Sequence, residues 1–155
     1  MRVSNSEPHS SISGAPLPRA AYVLLTLWAG GLWTICGVAA PSAFAILERS
    51  AAGKLAGRLF EIAAWSGALI GLLLFALLRA PNGLSSSSTR SVRLLIAAAA
   101  LAPMSSEIVL GPLMHAARVQ GDMRAFGILH GVGGALFLIA CVCTLVLTWK
   151  LSPAR

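Results

Sequence analysis

The sequence predicts an all-α integral membrane protein: an antiparallel four-helix transmembrane bundle with a disordered N-terminal tail. Of the 155 residues, 57% are apolar and only 11% are charged, whereas a soluble domain has about 25% charged residues. Four long stretches carry almost no charge, and a bilayer-crossing helix needs roughly 20 such residues. These observations predict four spans, near residues 20–47, 57–79, 92–116 and 125–149.

The N-terminal tail and the first span differ sharply in composition. Residues 1–18, "MRVSNSEPHSSISGAPLP", are rich in Ser and Pro and have little to bury, which predicts disorder. The four-span membrane domain then covers residues 19–150, and its first span holds no charge between Arg19 and Glu48. Part of this span, "VAAPSAFA", resembles a signal-peptide cleavage site, but the apolar region is longer than the usual 7 to about 15 residues. We therefore interpret it as a membrane span.

The second span is the shortest between its flanking charges. Residues 62–78 are uncharged, and the span gains length from the turn Arg58 to Glu61, whose long side chains can reach the headgroups. The following "APNGLSSSSTR" segment is predicted to be a flexible connection, because Pro, Asn, Gly and Ser dominate it.

Two prolines interrupt the third span. Pro103 and Pro112 lack a backbone N–H, so the carbonyls of Ala99 and Ile108 lose their usual helical partners. Such a break at membrane depth needs a polar neighbour, water or a cavity.

Basic residues set the expected orientation. With alternating spans, seven lie on the side of the termini and five on the opposite side. The positive-inside rule then predicts both termini in the cytoplasm, in a bacterial-type inner (plasma) membrane. The net charge of +7 suits contact with anionic lipid headgroups. The lipid bilayer is therefore the expected partner, and no nucleic acid partner is expected.

Three cysteines give no disulfide framework in such a protein. Cys141 and Cys143 lie two residues apart, so on a helix they point about 200° away from each other and cannot hold one ion together. Packing in the core is the favoured interpretation for both, and for Cys36 in the first span.

Ionisable residues of the spans gather toward the side of the first and third connections. Glu107 and His115 lie two turns apart on one face of the third span, and Glu107 matches the depth of His130 in the fourth. An unpaired carboxylate there costs roughly 2.5 to 3.5 kcal/mol, which favours pairing. These arguments predict an inward-facing polar cluster of the following members: Glu107, His130, His115, Arg118, Arg58 and Glu61. The cluster either locks neighbouring spans together or binds a proton, a metal ion or a small ligand.

Glycine pairs indicate where helices approach closely. Gly127 and Gly131 form a small-x-x-x-small pair around His130, and Gly67 and Gly71 form another in the second span. Together with Gly134 they predict packing within the bundle with the histidine turned inward. A seam between two copies of the chain is the alternative, which leaves a homo-oligomer open.

Several segments, in order, resemble an uncharacterised four-helix membrane family that includes transmembrane protein 205. These are "LWAGGLWTICGVAAPSAFAIL", "AAGKLAGRLFE", "EIVLGPLMHAAR" and "FGILHG", within residues 28–147. The features that carry the resemblance are Pro41 and Phe44, the turn 52–60, Pro112 with Arg118, and Phe126 with His130 and Gly131. The chain departs from the pattern at Gly133, where a small hydroxyl residue is expected. The resemblance implies the four-span fold and no established chemical activity.

The expected function is that of a multi-pass membrane protein with a support, resistance or transport-related role. It is not expected to be an enzyme, since HExxH, GxSxG, P-loop and paired CxxC motifs are absent from the sequence. The alternative is copper or haem handling by an intramembrane His/Met/Glu cluster, since thioether and imidazole ligands suit copper and imidazole suits haem iron. Its ligands would come from His115, His130, Met104, Met114 and Met123. No cofactor and no definite metal ligand set is assigned.

Overall fold

A computed structural model of the protein describes residues 19–78 and 86–152. This part of the chain is helical apart from short turns, and four helices are long and apolar enough to cross a membrane. We call them spans 1 to 4: Arg19–Ile46, Arg49–Leu77, Thr89–Val119 and Met123–Leu151. The predicted fold class is confirmed, whereas the predicted tail, residues 1–18, lies outside the described residues.

The four spans form two hairpins that repeat the same order of elements. In the first, an α-helix, a five-residue π-helical turn and a short α-helix occupy Arg19–Thr34, Ile35–Ala39 and Ala40–Ile46. In the second, the same three elements occupy Ser86–Ser105, Ser106–Leu110 and Gly111–Val119. A brief turn then leads into an unbroken α-helix of 29 residues in both hairpins. Spans 1 and 3 are therefore interrupted, and spans 2 and 4 are continuous.

A proline lies two residues after the end of each π-helical turn. The N–H of Ala40 donates to the carbonyl of Ile35, and the N–H of Gly111 donates to that of Ser106, five residues back in both cases. A proline ring clashes with the carbonyl four residues earlier, and an extra residue in the turn shifts that carbonyl away. The break predicted at Pro112 takes this form, and Pro41 produces a second one that was not predicted. Pro103, by contrast, lies inside the helix Ser86–Ser105 without a π-helical turn.

The helices of spans 2, 3 and 4 begin before the predicted spans. Span 2 begins at Arg49 instead of residue 57, because its Ala- and Leu-containing first turns favour a helix although they carry charges. The helix of span 3 begins at Ser86, so the second half of "APNGLSSSSTR" is helical, contrary to the predicted flexible connection; residues 79–85 lie outside the description. Span 4 begins after Gly121, whose φ of 73° suits glycine, and Asp122 Oδ1 accepts the N–H of Ala125 at 2.9 Å.

Contacts between the hairpins are concentrated toward the chain termini. We call the ends near Arg19 and Leu151 the termini side, and the ends joined by the two short turns the turn side. The helix Arg19–Thr34 packs on span 4, and Ser86–Ser105 packs on span 2. The turn-side helices Ala40–Ile46 and Gly111–Val119 instead pack mainly on the next span of their own hairpin. The bundle is thus a ring of four helices whose hairpins are joined chiefly in the termini-side half.

Small residues allow spans 1, 2 and 3 to pack closely. The indole of Trp28, only 4% exposed, lies over Gly67, where an added Cβ would come within 2.8 Å of the indole Nε1. A Cβ at Gly71 would lie 3.0 Å from the Cβ of Ala100. Glycine is therefore required at Gly67 by the space that the indole fills.

The outer surface of the bundle is apolar. Leu27, Leu72 and Leu101 are 66%, 68% and 65% exposed, and they stand on three different spans. Exposed apolar surface of this extent marks contact with lipid. The chain is an all-α integral membrane protein.

Candidate functional site

The second residue of each π-helical turn interacts with a residue of the other hairpin. Cys36 is second in Ile35–Ala39 and contacts Cys141 of span 4, while Glu107 is second in Ser106–Leu110 and interacts with Glu61 of span 2. We call Cys36 with Cys141 the sulfur pair, and Glu61 with Glu107 the acidic pair. The repeated element order thus places two chemically different contacts at the two interfaces between the hairpins.

The sulfur pair is a direct contact. The Sγ atoms of Cys36 and Cys141 are 3.7 Å apart, Cys141 is fully buried and Cys36 is half-buried. Cys143 is half-buried and does not join this contact. Local sequence gave no signal for the pair, because its members are 105 residues apart.

The acidic pair joins two half-buried carboxylates from different hairpins. Glu61 and Glu107 repel each other electrostatically. Glu61 Oε2 accepts a hydrogen bond from Arg58 Nη1 at 2.7 Å, and the two side chains are 41% and 66% exposed. With all three side chains ionised, Arg58, Glu61 and Glu107 together carry one excess negative charge.

Both carboxylates lie equally far along their helices from the turn-side ends. Glu61 follows the start of span 2 at Arg49 by 12 residues, and Glu107 precedes the end of span 3 at Val119 by 12. At 1.5 Å per residue, each lies about 18 Å from the turn-side end of its helix. The acidic pair therefore lies near the middle of the two spans.

The remaining members of the predicted cluster form a second, separate group. The guanidinium carbon of Arg118 lies 4.6 Å from the ring centre of Phe126, and His130 stacks on the same ring with centroids 5.9 Å apart. In the described part of the chain, no hydrogen bond or ion pair joins Glu107 to His130. His115 is exposed near the end of span 3. The six predicted residues therefore do not form one cluster. Arg58, Glu61 and Glu107 form one group, Arg118 and His130 belong to the second, and His115 is exposed.

His130 is exposed, not turned into a packed interior as expected. It lies seven residues before Phe137, on the face of span 4 that is buried further along the helix. That face is covered where the first hairpin packs, in the termini-side half, and His130 lies beyond this cover. Phe126 was not predicted as the partner of His130, although their spacing of four residues is the spacing at which helical side chains meet.

The glycines divide in the same way. A Cβ added at Gly127, Gly131 or Gly134 would meet nothing within 4 Å, so the packing expected there is not seen. Gly133 instead faces span 3, where an added Cβ would lie 2.9 Å from Ser106 Oγ. The buried face of span 4 passes through Gly133, and the neighbouring glycines are rotated to its side.

A metal centre of the usual composition is not formed in the described part of the chain. No group of three or more His, Cys, Asp or Glu side chains that could hold a metal ion occurs among residues 19–78 and 86–152. Of the methionines proposed as copper ligands, Met104 and Met114 are half-buried and Met123 is exposed. The two histidines proposed as ligands, His115 and His130, are both exposed.

The chain is a four-span integral membrane protein made of two repeated hairpins. The sulfur pair and the acidic pair lie at the interface between these hairpins, inside the membrane. Residues 23–123 match the family described as "Domain of unknown function (DUF4149)", and the chain belongs to this uncharacterised family. The match gives no activity and does not link the chain to transmembrane protein 205 specifically. No curated protein and no solved structure matches the chain.

Proposed function

We propose that the protein is non-enzymatic and has a transport-related role in which the acidic pair binds a proton. The observation that carries the proposal is that Glu61 and Glu107, which belong to different hairpins and lie near the middle of their spans, repel each other electrostatically. Ionisable side chains at such a position are rare and usually mark an ion or proton pathway.

The architecture supports a role of this kind. Many transporters consist of repeated units whose binding sites lie near the bilayer midplane, at the repeat interface, beside interrupted helices. Here Glu107 belongs to the interruption of span 3, and Glu61 belongs to the other repeat. Single π-helical turns within α-helices are also frequent at functional sites.

The charges of the site favour binding of a proton. Arg58 is paired with Glu61, so its positive charge offsets one carboxylate. A second carboxylate nearby, away from bulk water, costs free energy until a cation neutralises it. Because the hairpins are joined mainly on the termini side, a movement at the turn side would change the access of this pair to water.

Several finer expectations are part of the proposal. They are a bacterial-type inner membrane with cytoplasmic termini, the bilayer as partner, no nucleic acid, and kinship with transmembrane protein 205. Labelling a cysteine introduced between residues 81 and 85 from one side of sealed vesicles measures the orientation. Self-association of the chain stays a prediction, and the mass of the purified protein in detergent measures it.

Proton flux into sealed vesicles tests the proposed function. Purified protein is reconstituted with a pH-sensitive dye inside, and a potassium gradient with valinomycin supplies the driving potential. We expect faster proton entry than in protein-free vesicles, and a return to that background for Glu107→Gln. Glu48→Gln is the matched control, because Glu48 is exposed in the first turn. Wild-type entry equal to protein-free vesicles, or full entry with Glu107→Gln, would refute the role of the pair.

A further inference from the structure

We propose that Cys36 and Cys141 are a redox-active dithiol whose oxidation forms a disulfide between the two hairpins inside the membrane. The Sγ atoms are already in van der Waals contact at 3.7 Å. A disulfide requires about 2.05 Å, so the sulfur atoms must approach by about 1.7 Å. Cys36 lies in the π-helical turn Ile35–Ala39, where helix geometry is already irregular, and rotation about χ1 supplies part of the movement.

The position of the pair selects the kind of oxidant. Cys36 lies 10 residues from the turn-side end of span 1, or about 15 Å along the helix, and Cys141 lies 10 residues from the termini-side end of span 4. The pair is thus within the hydrocarbon depth, beyond the reach of charged, water-soluble thiols. Cys36 is half-buried while Cys141 is fully buried, so a lipid-soluble oxidant meets Cys36 first.

A membrane quinone fits this requirement. Two S–H bonds break and one S–S bond forms, and the two electrons and two protons that leave the thiols convert the quinone to its quinol. Reactants and products are uncharged, so the overall reaction leaves no net charge in the bilayer. Cys143 is two residues from Cys141 and points to another side of span 4, so it does not compete for Cys36.

The disulfide would fix the hairpins to each other at mid-span. Span 1 and span 4 pack through the helix Arg19–Thr34, and the sulfur pair lies just beyond the end of this contact. A covalent bond there extends the attachment toward the turn side, where the hairpins otherwise pack mainly within themselves. This inference does not depend on proton binding by the acidic pair.

Mass spectrometry of the full-length protein in native-like vesicles tests the proposal. Vesicles are treated with a short-chain benzoquinone, free thiols are blocked with N-ethylmaleimide in denaturant, and the protein is digested with trypsin. Cleavage after Arg19, Arg49, Arg124 and Lys150 leaves Cys36 in peptide 20–49 and Cys141 in peptide 125–150. We expect these peptides as one linked species that a reductant separates, both in the wild type and in Cys143→Ser.

The cysteine variants and the state of the thiols determine the outcome. Cys36→Ser and Cys141→Ser should give no linked species, and Cys143→Ser should match the wild type. The proposal is overturned if both peptides carry maleimide after quinone treatment, or if the link persists in Cys141→Ser through Cys143. It is also overturned if a chelator, instead of a reductant, restores maleimide labelling, because the sulfur pair would then hold a soft metal ion.

Discussion

Replacing Gly67 by alanine tests the closest contact between the helices of the first hairpin. The new Cβ would lie 2.8 Å from the indole Nε1 and 3.3 Å from Cε2 of Trp28. Trp28 is 4% exposed and is enclosed by the core, so the ring cannot simply swing aside. Overpacking of this kind costs about 1 to 3 kcal/mol.

A control substitution at Gly131 separates the effect of the clash on stability from the effect of the change in helix propensity. Alanine is favoured over glycine inside a helix by about 1 kcal/mol, and Gly131→Ala gains this term without a clash, since nothing lies within 4 Å of its new Cβ. The propensity term cancels in the difference between the two variants. We therefore expect Gly67→Ala to be about 1 to 3 kcal/mol less stable than Gly131→Ala.

Reversible unfolding in mixed detergent micelles, followed by far-UV circular dichroism, measures this difference. A double variant sharpens the test, because Trp28→Phe removes the Nε1 and the benzo ring that the Cβ would meet. The loss caused by Gly67→Ala should shrink in that background, as expected for residues in contact. Equal stability of Gly67→Ala and Gly131→Ala, to within about 0.5 kcal/mol, would refute the packing of the indole on span 2.

Two further predictions concern span 4. Gly133→Ala should lower the free energy of unfolding, because its Cβ would lie 2.9 Å from Ser106 Oγ. Gly134→Ala should not lower it, because nothing lies within 4 Å of its new Cβ. In the same unfolding assay, Ser106→Ala should partly restore the stability of Gly133→Ala. Phe126→Ala should destabilise the turn side more than His130→Ala, because Phe126 contacts both Arg118 and His130. A lower melting temperature for His130→Ala than for Phe126→Ala would contradict this prediction.

The sequence determined the four spans, their antiparallel order and the accumulation of ionisable residues toward the turn side. Hydrophobicity and length are local properties, and a bilayer selects uninterrupted apolar helices of about 20 residues or more. The charge-free run between Arg19 and Glu48 was therefore sufficient to place span 1. The polarity of Glu61 and Glu107 likewise placed them in one predicted cluster, although the division of that cluster into two groups was not foreseen.

Tertiary structure alone decided which face of each span is packed and which side chains meet. In a soluble helix the apolar stripe reveals the buried face, but a membrane helix is apolar on the lipid side as well. Span 4 accordingly buries Gly133, whereas the sequence favoured Gly131 and Gly134, which are rotated out of that contact. Cys36 and Cys141 are 105 residues apart in sequence, and they meet only because spans 1 and 4 pack with a particular offset and rotation. No local sequence pattern predicts such a contact.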